Sequence, residues 1–330
     1  MTPLEILQRV AAQQDGMVTT SQALAAGLTR GQIRQLCRSG RWGRLARGCF
    51  APVGAAADSG HDRFAPGSAA FDPVRRRGLI RAAVTSLGTG AFAVLDTALE
   101  LHGIAGLRRT SAIHVSVPAD QPRSQRRGDP RAVVHQLTTV PGDIVDVAGI
   151  RATSPLRTVV DVALREDRYP AVCVLESALN RGFVTVEQLA AVPALVRGRR
   201  GAVAARSYVR EADGRAQSPL ETRSRLRCVD GGVSPDALQL VVRDQDGHLI
   251  AVGDLGWRSA RLIAEADGEG PHGTPEALFA DRRRQNRLVN AGWRVLRFTW
   301  ADTLRPDYIP WSVREALTTP PPRRASTQGW

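Results

Sequence analysis

The 330-residue sequence contains no lysine, so all 45 of its basic residues are arginine. It has only four cysteines, and none of them lies in a C-x-x-C pair or another metal-ligand spacing. No run of apolar residues reaches the roughly 18 that a membrane-spanning helix needs. These absences exclude an ammonium group from any active site, a disulfide scaffold, a thiolate metal site and a transmembrane helix. With no basic-then-apolar leader at the N-terminus, the sequence predicts a cytoplasmic protein without membrane partners.

What the sequence does contain is an uneven excess of positive charge. The formal net charge is +13, and 43% of the residues are hydrophobic, as in an ordinary globular protein. Residues 1–50 carry seven arginines against two acidic residues, which is the densest excess in the chain. The length predicts two or three domains, and the charge predicts a polyanionic partner for the first of them.

The N-terminal segment, residues 1–53, has the pattern of a winged helix-turn-helix. Apolar spacing predicts a helix from about residue 3 to 14, a second that Thr20 could cap, and a third that begins after Thr29. Residues 41–50 then alternate as a β-hairpin. A helix-turn-helix places its last helix in the major groove, where arginine pairs with guanine and glutamine with adenine, while wing arginines bind phosphates.

The residues predicted to contact double-stranded DNA therefore lie in the third helix and the wing. They are Arg30, Gln32, Arg34 and Arg38 in the helix, and Arg41, Arg44 and Arg47 in the wing. The alternative is a small helical protein-interaction module whose basic face is merely solvated. Residues 3–53 also resemble the N-terminal domain of AbiEi-type antitoxins of type IV toxin–antitoxin systems. The resemblance implies operator binding, repression of the protein's own transcription and a cognate toxin as a partner.

The middle of the chain shows no catalytic pattern. Residues 54–74 are rich in glycine, alanine and proline and are expected to form a linker, and residues 75–213 alternate between helical and strand patterns. The order of these segments resembles the C-terminal part of AbiEi-like proteins. Residues 317–330 are rich in proline and arginine and are expected to be a disordered tail.

Two acidic residues in the C-terminal third are predicted to face each other. Residues 249–257 and 261–266 are apolar and separated by a short polar break, which indicates a β-hairpin. If its turn centres on Ser259 and Ala260, Asp254 lies directly opposite Glu265. Opposed carboxylates repel unless a cation lies between them. Mg²⁺ or Mn²⁺, bound by Asp254 and Glu265, would supply that cation.

The same segment resembles a restriction-endonuclease-like domain of the PD-(D/E)XK class, in the branch related to very-short-patch-repair (Vsr-type) endonucleases. The resemblance covers residues 218–316 and rests on the spaced motifs D-L-x-W, E-x-D-G-x-x-x-H, D-R-R-R-x-N-x-L and A-G-W-R-V-L-R-F-T-W. It implies a mixed α/β sheet with metal bound by Asp254 and Glu265, assisted by Glu221, and with His272 near the attacking water. Asp267 stands where many relatives carry a lysine, so His272, with Asp267, would orient the water. Arg282, Arg283 and Arg284 would hold the DNA backbone.

Each of these residues also has a purely structural interpretation. Ser218 and Glu221 have the spacing of a helix capping box, and Asp267 with Gly268 has that of a turn. His272 lies in a glycine- and proline-containing loop, and an arginine run is commonly a solvated helix face.

The predicted fold class is therefore α/β and multidomain: a winged helix-turn-helix, an α/β middle region and a restriction-endonuclease-like sheet. Two functions compete. The first is a metal-dependent DNA endonuclease positioned by the winged helix. The second is an AbiEi-type antitoxin and repressor whose nuclease-like domain is inactive, and a scaffolding protein is a weaker third. The endonuclease and the repressor both require nucleic acid. The residues predicted for these two functions either bind it or take part in its cleavage.

Overall fold

The computed structural model describes residues 1–52, 72–118, 131–268 and 275–319. They divide into two compact units, Met1–Arg165 and Glu166–Trp330. The boundary between the units falls inside the predicted 75–213 region, whose extent as a domain stays a prediction. Most of the predicted linker and tail, and the whole of His272, lie outside the described residues.

The N-terminal part of the first unit has the element order of a winged helix. Its elements are α1 (Pro3–Gln13), β1 (Val18–Thr19), α2 (Thr20–Ala25), α3 (Arg30–Arg38), β2 (Trp42–Ala46) and β3 (Cys49–Pro52). β3 pairs antiparallel with both β1 and β2, which makes the predicted hairpin part of a three-stranded sheet. One detail of the sequence prediction is wrong: Thr19, not Thr20, caps α2, because its hydroxyl accepts from the backbone N–H of Gln22.

Buried apolar residues from each of these elements form one small core. Leu7, Val18, Ile33, Leu36 and Trp42 are all at least nine-tenths buried and pack together. The core therefore fixes the inner face of α3 and leaves its other face to solvent.

The rest of the first unit is a five-stranded mixed sheet with helices. Its elements are α4 (Pro73–Ser86), β4 (Phe92–Ala93), α5 (Leu95–His102), β5 (Ile113–Ser116), β6 (Ala132–His135), β7 (Ile144–Val147), β8 (Ile150–Thr153) and α6 (Pro155–Ala163). The strand order is β6-β5-β4-β8-β7. The β7–β8 hairpin was not expected from the sequence, since its strands have four residues each and β7 is only partly buried.

Asp15 links the winged helix to α4 of the same unit. Its carboxylate accepts hydrogen bonds from Arg77 at 3.2 Å and from Arg81 at 2.7 Å. Arg81 also donates to the carbonyl oxygens of Ala148 and Gly149, at 2.7 and 2.9 Å. One buried guanidinium therefore connects the end of α1 with the β7–β8 turn.

The second unit begins with a helical layer and continues into a four-stranded sheet. Its elements are α7 (Arg168–Asn180), α8 (Val186–Leu195), α9 (Ala202–Glu211), α10 (Pro219–Asp230), β9 (Ala237–Arg243), β10 (Leu249–Trp257), β11 (Leu262–Ala266), α11 (Pro275–Asn290), β12 (Arg294–Phe298), α12 (Trp300–Thr303) and α13 (Tyr308–Thr318). The strand order is β12-β11-β10-β9, with β12 parallel to β11 and the other pairs antiparallel.

The β10–β11 hairpin has the register predicted from the sequence. Leu255 pairs with Ala264 and Trp257 with Leu262, so the turn centres on Ser259 and Ala260. Continued by one pair, this register places Asp254 opposite Glu265.

The apolar residues of α11 are not all buried. Leu288 is buried, but Phe279 and Val289 remain 55% and 59% exposed. Separately, no helix among the described residues is long and apolar enough to cross a membrane.

Candidate nucleic-acid interface and carboxylate cluster

One face of α3 presents only basic side chains. Arg30, Arg34 and Arg38 are spaced one helical turn apart and are all exposed, whereas Ile33 and Leu36 on the inner face are buried. Long guanidinium side chains on a free helix face can reach both base edges and phosphates in a groove. The geometry is therefore compatible with the predicted DNA contacts.

Gln32 has a structural role in addition to the predicted one. Its Oε1 accepts from the backbone N–H of Thr29 at 2.8 Å, while the Thr29 hydroxyl accepts from the backbone N–H of Gln32 at 3.2 Å. This capping box holds the first turn of α3. Only the amide N–H groups of Gln32 remain for a base contact.

The wing arginines are also exposed. Arg41 precedes β2, Arg44 lies within it, and Arg47 lies at the turn to β3 beside Gly48, whose φ is +72°. Burial raises the pKa of the Cys37 thiol on α3, and the positive charge of Arg44 acts in the opposite direction. The positive charge of Arg44 on the wing therefore acts on a side chain of α3.

In the second unit, Glu221 and Asp254 come together around a third residue, Gln239. The Nε2 of Gln239 donates to Oε2 of Glu221 at 2.9 Å and to Oδ1 of Asp254 at 3.4 Å. Backbone N–H groups hold both carboxylates: Gln217 donates to Glu221 at 2.9 Å and Ala266 to Asp254 at 2.7 Å. The capping box expected at Ser218 is thus half formed, because Glu221 bonds Gln217 rather than the backbone of Ser218.

The pKa values of both of these carboxyl groups are raised in the folded protein. Burial raises the pKa of Glu221, and the nearby charge of Asp254 raises it further, although hydrogen bonds from Gln217, Ser218 and Gln239 act against this. Burial likewise raises the pKa of Asp254. Among the described residues, neither carboxylate forms an ion pair with an arginine.

Glu265, in contrast, is neutralised by arginine. Arg284 donates to both of its carboxylate oxygens, at 2.9 and 3.0 Å, and Nε of Arg297 lies 3.4 Å from Oε2. Asp281 accepts from the same two guanidiniums, at 2.8 Å from each. The repulsion expected between Asp254 and Glu265 is therefore relieved by two guanidiniums already present in the chain.

The remaining predicted site residues are more scattered. Arg282 and Arg283 are exposed on α11, while Arg284 is turned towards Glu265. The backbone N–H of Asp267 donates to the carbonyl of Phe298 at 2.8 Å, just past the end of β11. His272 lies outside the described residues, so its predicted part in catalysis stays a prediction.

Three residues of this cluster were not predicted from the sequence: Gln239, Asp281 and Arg297. Arg297 could have been found, because it pairs with Glu265 in the parallel β11–β12 register. Gln239 could have been found only after β9 had been recognised, since the β9–β10 register places it beside Asp254. Asp281 carries no local signal, because its partners come from β12 as well as from its own helix.

The chain resembles proteins of Mycobacterium tuberculosis. It is 33% identical over 219 residues to "Uncharacterized protein MT2308" of strain CDC 1551 and equally to "Uncharacterized protein Rv2248" of strain H37Rv, which covers 66% of this chain and 78% of each relative. A solved structure, the crystal structure of RV2827C protein from Mycobacterium tuberculosis, is 19% identical and covers 74% of this chain and 86% of its own. Its TM-score of 0.40 assigns neither a fold nor a function.

Two family descriptions match separate parts of the sequence. Residues 5–53 match the model described as "Transcriptional regulator, AbiEi antitoxin", and residues 91–210 match "AbiEi antitoxin C-terminal domain". The first span is the winged-helix part, with the exposed arginines of α3 and the wing. The match to the C-terminal domain follows the match to the transcriptional regulator along the chain. The chain therefore belongs to the AbiEi antitoxin family.

Proposed function

We propose that this protein is a DNA-binding transcriptional regulator of the antitoxin type. The observation that carries the proposal is the exposed basic face of α3, formed by Arg30, Arg34 and Arg38, inside the span that matches the transcriptional-regulator family. In this proposal α3 reads base edges in the major groove, and Arg41, Arg44 and Arg47 hold phosphates on either side.

The DNA upstream of the protein's own gene is the ligand to test. Fluorescence anisotropy should show tighter binding to that fragment than to a fragment of the same length and composition with shuffled sequence. Replacing Arg30, Arg34 and Arg38 together with alanine should remove the preference and lower the salt dependence of binding, because fewer counterions are released. A reporter driven by the same fragment should be repressed by the wild type and not by the triple variant. Equal binding of wild type and triple variant would exclude α3 as the reader.

Family membership also supports a cognate toxin as a partner in this proposal. Co-expression of a toxin gene adjacent to this one should arrest growth less when the wild-type protein is present. Growth arrest that is the same with and without the protein would exclude the antitoxin part and leave the regulator part standing.

A second candidate function, metal-dependent cleavage of DNA, is favoured by one specific observation. Glu221 is buried and Asp254 half-buried, and their carboxylates converge on the amide of Gln239 without an arginine between them. They lie on a helix and a strand in the element order helix–strand–strand–strand–helix–strand. Their hard oxygen atoms suit Mg²⁺ or Mn²⁺, which when bound would polarise a phosphate and activate water. Glu265 does not fit as a ligand while Arg284 occupies both of its oxygens.

A nicking assay tests this second candidate. Purified protein should nick supercoiled plasmid with Mg²⁺ or Mn²⁺ and not with EDTA, and Asp254→Asn should abolish the nicking while leaving binding to the upstream fragment intact. Equal inertness of wild type and Asp254→Asn across metals and substrates would leave the regulator as the function. Metal-independent nicking by both would point to a contaminating nuclease.

A further inference from the structure

Two aromatic rings and two guanidiniums alternate on the surface of the second unit. The guanidinium carbon of Arg223 lies 5.0 Å from the ring centre of Trp300 and 5.1 Å from that of Tyr169. The guanidinium carbon of Arg227 lies 4.7 Å from the same tyrosine ring. These distances are within the range of cation–π attraction. We call Trp300, Arg223, Tyr169 and Arg227 the stacked ladder.

Thr303 holds the two arginines of the ladder. Arg223 and Arg227 lie one turn apart on α10, and the Nε of each donates to the buried Thr303, at 3.2 Å to its hydroxyl and 2.9 Å to its carbonyl. Within the described ranges, no hydrogen bond uses the Nη atoms of either arginine, and neither forms an ion pair with a carboxylate. Each guanidinium is thus oriented through its Nε–H group. Its Nη–H groups can donate to a ligand.

Trp300 is 48% exposed. It is the first residue of α12, whose start is held by Thr299, because the backbone N–H of Thr299 donates to Asp302 at 2.8 Å. Tyr169 is oriented as well, since its hydroxyl donates to Asp230 at 2.6 Å, with Arg168 also against its ring. The indole thus offers a stacking face to a ligand beside two oriented guanidiniums.

We propose that the stacked ladder binds an unpaired nucleotide, with the base on the Trp300 ring and its phosphates on the Nη atoms of Arg223 and Arg227. Single-stranded nucleic acid offers both a π-face and phosphate oxygens, and aromatic stacking beside basic groups is how proteins bind it without sequence preference. An acidic peptide would use the guanidiniums but would leave the indole without a partner. This site is separate from the α3 surface of the proposed regulator and does not depend on it.

The test uses the full chain with Arg30, Arg34 and Arg38 replaced by alanine, so that α3 does not contribute. The probes are a fluorescein-labelled 20-nucleotide oligo(dT) and an abasic 20-mer with the same phosphates and no bases. The parent should bind oligo(dT) about tenfold more tightly than the abasic strand, which is the size of one stacking contact. Trp300→Ala should lose this preference and keep the weaker, phosphate-dependent binding, whereas Trp300→Phe should retain most of the preference.

Trp311→Ala is the matched control, because Trp311 is 56% exposed on α13, with its ring against Tyr308. It should bind both probes as the parent does. Melting temperatures should confirm that the variants fold. The proposal is overturned if the parent binds the two strands equally, if Trp300→Ala keeps the preference, or if Trp311→Ala loses it as well. Displacement of oligo(dT) by poly-glutamate as efficiently as by unlabelled oligo(dT) would also overturn it, since the ladder would then be a general anion surface.

Discussion

The carboxylates of Glu221 and Asp254 accept hydrogen bonds from a single amide nitrogen, Nε2 of Gln239, at 2.9 and 3.4 Å. Gln239 has a φ of +51°, a left-handed conformation that side-chain-bearing residues rarely adopt within a strand. Such backbone strain is retained only where the surroundings hold it in place. Here it brings an amide between the buried Glu221 and the half-buried Asp254, whose carboxylates would otherwise repel each other.

The first prediction concerns the pH dependence of stability. Burial raises the pKa of Glu221 in the folded state, so the folded protein holds this proton at pH values where the unfolded chain has lost it. The resulting stability is fully present below the unfolded pKa of about 4.3. It is lost as pH rises through the folded pKa. Glu221→Gln removes this loss and should therefore raise Tm relative to wild type at pH 8, and by less at pH 4.5.

The matched control is Glu265→Gln. Glu265 lies on β11, next to the β10 strand that carries Asp254. Arg284 and Arg297 hold the Glu265 carboxylate, so its neutral replacement leaves two guanidiniums without that partner and should lower Tm at pH 8. A change of ~1 kcal/mol moves Tm by roughly 2–4 °C in a unit of this size, which scanning calorimetry resolves. Two glutamates of one cluster should thus give shifts of opposite sign. A lower Tm for both variants at pH 8 would show that the charge of Glu221 does not destabilise its site.

A second prediction concerns the packing of the winged helix on α4. A Cβ added at Gly78 would lie 2.5 Å from the backbone oxygen of Asp15, which cannot move without disturbing the Asp15–Arg81 ion pair. Gly78→Ala should therefore lower the free energy of unfolding by about 1–3 kcal/mol in urea denaturation. Gly31→Ala, also within a helix, would meet only the Thr29 hydroxyl at 3.7 Å and should stabilise by up to ~1 kcal/mol. Equal changes in the free energy of unfolding for the two variants would mean that the backbone at Asp15 shifts at little cost.

The features of this structure that could be predicted from the sequence arise between residues close together in the chain. Thr29 and Gln32 form a capping box because three residues separate them, and the Asp254–Glu265 register follows from a short turn between two apolar strands. The basic face of α3 follows from helical periodicity alone. In each case a single local spacing fixes which side chains share a face.

The features that could not be predicted depend on long-range contacts. Arg284 was expected to face DNA, and it binds Glu265, 19 residues earlier in the chain, because α11 packs beside the sheet. Gln239 lies on β9, which has no strong alternation, so neither the strand nor the amide bridge was expected. The metal predicted between Asp254 and Glu265 rested on charge repulsion and on the endonuclease-like resemblance, and neither revealed that Arg284 and Arg297 come to the same place.

A third prediction separates metal binding by Asp254 from its structural contacts. If Glu221 and Asp254 hold a divalent ion, as the second candidate function requires, millimolar Mn²⁺ should raise Tm because the ion binds only the folded state. Asp254→Asn should abolish this rise, whereas Glu265→Gln should keep it, since Arg284 already occupies Glu265. Calorimetric titration with Mn²⁺ should show heat of binding for wild type and Glu265→Gln, the two proteins whose Tm should rise. No rise in wild type would leave the three acids with structural roles only.

The fourth prediction distinguishes reading of bases from holding of phosphates on the basic surface. Arg34 lies in the middle of the exposed face of α3, and Arg44 lies on the wing, so the proposed function gives them different tasks. Arg34→Ala should weaken binding to the upstream fragment by about 1–3 kcal/mol and bind the shuffled fragment almost as the wild type does. Arg44→Ala should weaken both fragments by similar factors and reduce the slope of log K against log salt by about 1. Anisotropy titrations at several salt concentrations measure all of these values. If the two variants weaken both fragments alike, α3 holds the backbone as the wing does, and the protein binds DNA without reading it.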